Sequence, residues 1–168
     1  WYPPLAALLP APLTLGVRRQ SMSLKYPQSD IPFAPTPAWF LGPFDVYDRE
    51  ETLGEELNRF DPNDPSKIQQ LLDEYFFPYR TSERGYTSEH KREMVQVLVS
   101  ALSDKGYCFA TLLEDDHDSC FYLPCAWEIH VPREFFLQVY VAVLRHWSDE
   151  LGGIGVKLPQ ITELALSK

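Results

Sequence analysis

The sequence predicts an α+β domain: a small antiparallel three-stranded meander packed against about four helices, preceded by an extended proline-rich arm. Three observations carry this expectation. Three short runs rich in aromatic and β-branched residues, 107–113, 119–123 and 127–131, follow one another, and their connections are too short for the crossover that parallel strands need. Runs with helical periodicity and capping signals lie on both sides of them. Such an order favours a small sheet laid on helices. Prolines crowd the first part of the chain and exclude regular helix there.

Taken in order, residues 1–21 are rich in Pro, Leu and Ala, with Pro3, Pro4, Pro10 and Pro12 breaking the apolar run and Arg18 and Arg19 following it. A secretory signal has its basic residues ahead of the apolar run, and a membrane helix needs about 20 unbroken apolar residues. The segment therefore reads as an added or upstream-translated extension, with a start at Met22. Residues 22–45 read as an extended arm. Pro27, Pro32, Pro35, Pro37 and Pro43 exclude a helix over 26–43, and Ile31, Phe33, Trp39, Phe40 and Leu41 favour an arm packed on the domain over a free polyproline ligand. The remaining residues, 46–168, form one α+β domain.

Within it, Leu53, Leu57 and Phe60 recur at helical spacing, which predicts a short acidic helix over 46–60. Asp64 and Pro65 supply an N-cap and a first-turn residue for a second helix carrying Ile68, Leu71, Leu72 and Tyr75. Residues 79–87 read as a loop. Thr87 or Ser88 caps a third helix, whose apolar face is Met94, Val95, Leu98, Ala101 and Leu102. The three strands follow, with the acidic connector 114–118 between the first two. Pro132 opens a last long helix, apolar nearly all round from Phe135 to Trp147; a helix of that kind is central or covered by a partner. After Gly152, Gly153 and Gly155 the chain ends in a short strand or frayed tail.

Composition narrows the function classes. The chain is 45% hydrophobic and 14% aromatic, enough to build a core. Its net charge is −9; leaving out Arg18 and Arg19 gives 13 basic against 24 acidic residues from Met22 on, or −11. An acidic chain repels nucleic-acid phosphates and anionic headgroups, so neither nucleic acid nor membrane is an expected partner. Three cysteines, Cys108, Cys120 and Cys125, form no C-x-x-C pair and no even set. They read as reduced thiols of a cytoplasmic protein.

Chemistry-bearing patterns are few. His117, Cys120, Cys125 and His130 have the spacing x2, x4, x4. It resembles a zinc knuckle, but the order of ligand types differs and the turns lack glycine. Packed cysteines and solvated histidines account for the four residues, so no metal and no cofactor is expected. Glu128 beside His130, with Cys108 or Cys120 as nucleophile, is the one local catalytic option; 128 and 130 would share a strand face. No phosphate-loop, dinucleotide or H-E-x-x-H motif is present.

The sharpest charge feature is the cluster Glu114, Asp115, Asp116 and Asp118. With Glu50, Glu51, Glu55 and Glu56 it supplies two carboxylate-rich segments suited to a basic protein partner. The expectation is a non-enzymatic acidic protein-binding module, most concretely a bacterial immunity-type inhibitor of a basic toxin or nuclease. The alternatives are a small enzyme or zinc protein using the His117/Cys120/Cys125/His130 region, and an oligomeric structural or assembly protein joined through helix 133–151.

Overall fold

The computed structural model describes residues 24–115, 118 and 120–165, and the fold is helical. The expectations for residues 1–21, and those for Asp116 and His117, fall outside the described residues. Among the described residues there are five α-helices: α1 (Glu55–Leu57), entered through one turn of π-helix at Glu50–Gly54, then α2 (Pro65–Tyr75), α3 (Ser88–Ser103), α4 (Pro132–Gly153) and α5 (Ile161–Ala165).

The start signals act as the residue types demand. The Asp64 carboxylate accepts from the Ser66 amide at 2.8 Å, and Pro65 occupies the first turn, where no donor is needed. Thr87 caps α3 in a capping box whose return bond comes from an unexpected residue: the Thr87 amide donates to His90 Nδ1 at 3.2 Å. His90 Nε2 donates to the Lys25 carbonyl at 2.7 Å. One imidazole thus closes the helix start and ties the arm to it.

The core is organised on α4. Phe135, Phe136, Val139, Tyr140, Val143, Trp147 and Leu151 are all buried, and α2, α3, α5 and the 3-10 turn Phe109–Leu112 pack around them. The apolar side chains of the helix offered by the sequence as an oligomer interface thus pack against its own chain, while Glu134, Arg145, His146, Ser148 and Asp149 stay exposed. The Tyr140 hydroxyl donates to the Pro159 carbonyl at 2.7 Å, which satisfies its polar end; burial and the charge of Glu163 push its pKa up to about 12.

The three-stranded meander is not formed. Among the described residues no β-strand exists, and β pairing is confined to isolated bridges such as Lys25 with Pro32. The first run coils into the 3-10 turn Phe109–Leu112. The described residues of the other two, 120–123 and 127–131, form no strand, and side chains take over hydrogen bonds that a ladder would have supplied. Asp45 Oδ1 accepts from the Tyr122 amide at 3.1 Å, and Asn58 Oδ1 accepts from the Ala126 amide at 3.3 Å. Asn63 both donates to the Glu128 carbonyl at 2.8 Å and accepts from the His130 amide at 2.9 Å. Pro124 separates the two runs and Pro132 ends the second, and both lack the donors a ladder needs. Backbone groups must be paired, but the partner need not be another strand.

Three further expectations are corrected. The acidic helix is shorter than its spacing suggests, because the chain enters it through a π-turn. Prolines exclude an α-helix from the arm, yet Pro37–Phe44 winds into 3-10 turns that bury Phe40, Leu41 and Phe44 in the core. The tail after Gly155 forms α5, anchored by Leu164. No helix among the described residues is long and apolar enough to cross a membrane.

Candidate functional site

Two surface regions concentrate chemistry, and the first joins the two acidic segments. The Val46 amide donates to the Tyr122 carbonyl at 2.8 Å, which lays the 120s segment beside the entry to α1. The rings of Tyr47 and Tyr122 then stack at 5.4 Å. Burial raises the pKa of the Tyr122 phenol, and the negative charges of Asp115, Cys120 and Glu50 raise it further. Carboxylates of the connector and of the π-turn therefore both act electrostatically on Tyr122. Tyr47 is 38% exposed, and its pKa is raised first by a hydrogen bond with Cys120, then by the charges of Cys120 and Asp48. Glu114, Asp115, Asp118, Glu50, Glu51, Glu55 and Glu56 are all exposed.

The second region is a cleft of about 830 Å³. It lies between the arm turn at Pro27 and Gln28, the 3-10 turn at Gly42 and Pro43, the π-turn and the loop after α2. Gly85 makes the junction possible. It has φ +86°, and a Cβ there would meet the Cβ of Pro27 at 2.8 Å. Arg49, Arg80 and Arg84 line the cleft with Tyr75, Tyr79 and Tyr86. The Arg80 guanidinium lies 4.3 Å from the Trp39 ring centre, 5.2 Å from Phe76 and 5.3 Å from Tyr86. Such cation–π contacts hold a cation in partly dry surroundings. Arg84 lies 4.7 Å from the ring centre of Tyr79. The sequence predicts only a loop over 79–87; the signal within it is the pairing of tyrosines with arginines, Tyr79 with Arg80 and Arg84 with Tyr86 across Gly85.

Of the metal and catalytic candidates, His117 lies outside the described residues. Cys108, Cys120 and Cys125 are exposed and form no disulfide. Cys125 Sγ accepts from Asn58 Nδ2 at 3.8 Å, and His130 Nδ1 stands 4.0 Å from Glu128 Oε1 on an exposed, non-strand segment. Among the described residues no group of three or more His, Cys, Asp or Glu side chains could hold a metal ion. Comparison with protein-family models, with curated proteins and with solved structures gave no match.

Proposed function

We propose that this protein is a non-enzymatic binding module whose acidic face receives a basic protein, most concretely in the manner of a bacterial immunity-type inhibitor of a basic toxin or nuclease. The observation that supports it is the stacked Tyr47–Tyr122 pair on a surface whose carboxylates Asp115 and Glu50 are exposed and act electrostatically on Tyr122. Carboxylates steer a basic partner in from a distance, and tyrosines supply the rigid contact area that holds it. The partner class follows from charge: −9 on the whole chain favours association with a cation-rich surface.

The test begins with affinity capture from a native host lysate and continues with kinetics on the captured protein. Association slows steeply as salt is raised, because exposed charges are screened beyond about 8–10 Å at physiological ionic strength. Replacing Asp115, Asp116 and Asp118 together by Asn lowers the on-rate more than it raises the off-rate, with circular dichroism as the folding control. Tyr47→Ala acts the other way, shortening the lifetime of the complex by about tenfold or more. An on-rate indifferent to salt and to the triple substitution rejects this face as the steering surface.

A further inference from the structure

The arginine cleft is a locally positive site on an acidic protein. Three guanidinium groups line it against two carboxylates, Glu56 and Glu83, and Glu56 is already engaged. Its Oε1 pairs with Arg59 at 3.3 Å, and its carboxylate takes the hydrogen bond of Tyr75, whose pKa burial and that bond push up to about 12. Among the described residues, Arg49, Arg80 and Arg84 make no ion pair with any carboxylate.

Arg80 is the centre of this imbalance. Its Nε is buried without a hydrogen-bond partner, and its Nη1 reaches only the Tyr79 carbonyl, at 3.3 Å. A buried donor left unpaired is costly, and a partly buried cation without a counter-ion more so. Burial lowers the pKa of Arg80 and the like charge of Arg84 lowers it further, against an opposing effect of Tyr86. The two arginines line one cleft, and neither forms an ion pair with Glu83, the remaining carboxylate of its wall. Native proteins rarely hold such an arrangement without a use for it. An anion seated between them would relieve it.

The size and lining of the cleft specify more than an anion. A volume of about 830 Å³ lies in the range of small-molecule sites, roughly 300–1,000 Å³, and far exceeds what one oxyanion fills. Beside Gln28 and the two glutamates, the wall carries aromatic and apolar side chains, among them Tyr79, Tyr86, Leu53 and Pro43. Two cations are better matched by a dianion than by a monoanion, and guanidinium forks fit phosphate oxygens. We propose that this cleft binds a small phosphate monoester, with the phosphate between Arg80 and Arg84 and within reach of Arg49, and a flat organic group lying against Tyr79 and Tyr86.

The test uses the whole chain and phenyl phosphate as the probe, followed by calorimetry and by amide chemical shifts. Saturable binding is expected, with the largest shifts at Gly42, Arg80, Arg84 and Gly85. Arg84→Gln weakens it by at least about tenfold, as loss of a charge-assisted contact requires, while Arg92→Gln, outside the cleft, leaves it unchanged. Arg80→Lys keeps the charge but loses the planar fork, and it also weakens binding. Should the Arg80 variant fail to fold, Arg84→Gln and Arg49→Gln decide the matter alone. Inorganic phosphate and phenylacetate serve as the comparison ligands, and both are expected to bind more weakly. Phenylacetate binding as tightly as phenyl phosphate overturns the choice of phosphate, and inorganic phosphate binding as tightly overturns the organic half of the ligand. Absence of saturation, or full affinity in Arg84→Gln, overturns the site itself. None of these outcomes bears on the acidic face, whose kinetics are read with a protein partner.

Discussion

Lys91 shows how a single residue is held against its own chemistry. Its side chain is 7% exposed, and its ammonium meets Glu150 Oε2 at 2.5 Å while lying 5.7 Å from the Trp147 ring centre. Glu150 also accepts from the Ser88 hydroxyl at 2.8 Å. Burial opposes ionisation of Glu150, but the bonds from Lys91 and Ser88 and the charge of Lys91 outweigh it and lower the pKa. A carboxyl with a depressed folded-state pKa contributes stability that is present above its unfolded pKa and lost as pH falls through the folded one. The Lys91–Glu150 contribution is therefore intact at neutral pH and disappears below about pH 4.5, the ordinary Glu value. Glu150→Gln lowers stability by about 1–2 kcal/mol, less than for a fully buried pair because Glu150 is partly solvated. The double variant Lys91→Met, Glu150→Gln recovers most of that loss, since methionine needs no counter-ion. Urea denaturation of the three variants at pH 7 and pH 4 checks both statements.

At the scale of elements, the segment 120–131 is the instructive one. Its aromatic and β-branched residues read as strands because that composition suits a pleated, half-buried surface. The same residues also suit an irregular segment that packs apolar side chains on a helical core, and here Phe121, Leu123, Trp127 and Ile129 do so. What decides between the two is the source of backbone hydrogen bonds, and that source is distant in sequence: Asp45, Asn58 and Asn63. No local pattern signals an asparagine 65 residues away. Helices were legible because their signals are local, as with Asp64-Pro65 before α2, Thr87 before α3 and Pro132 before α4. Asn63→Ala removes two bonds that hold Glu128 and His130 and lowers stability by about 1–2 kcal/mol. The His130 amide then exchanges with solvent faster, while amides in α3 keep their relative protection. Equal loosening of both regions in hydrogen-exchange measurements would contradict this division of labour. In the loop Thr81–Tyr86, Gly85→Ala forces a side chain into positive φ against Pro27 and lowers stability by about 1–2 kcal/mol or more. Thermal denaturation measures the loss, and phenyl phosphate affinity falls with it if the arm turn forms the cleft rim.

Across the whole molecule, an aromatic network links the arm to the last long helix. Trp39 meets Phe76 at 5.6 Å, Phe76 meets Phe77 at 5.1 Å, and Phe77 meets Trp147 at 5.2 Å. Phe40 stacks on the same Phe76 at 5.2 Å. Phe76 is therefore the junction of three elements, and Phe76→Ala removes about 3–5 kcal/mol of stability, enough to unfold a marginal domain. A chemical denaturation midpoint reduced by less than a quarter would show that the network is redundant. The acidic segments were legible in the sequence because charge is additive along a chain. The arginine cleft was not, since Arg49 lies in the acidic stretch that masks it, and Arg80 and Arg84 become one site only when the arm folds back over Gly85.

The position of α4 at the centre of the core also governs how this chain acquires its structure during synthesis. Helices α2 and α3 each pack on α4 but make few contacts with each other, and α4 begins only at Pro132. The emerging polypeptide thus presents the apolar faces of α2 and α3, with Leu72 and Met94 among them, well before their covering surface has been translated. Such exposed surface is prone to aggregation and to chaperone capture. A chain halted before Pro132 should remain protease-sensitive throughout, and release of residues 132–153 should convert it to a resistant form in one cooperative step.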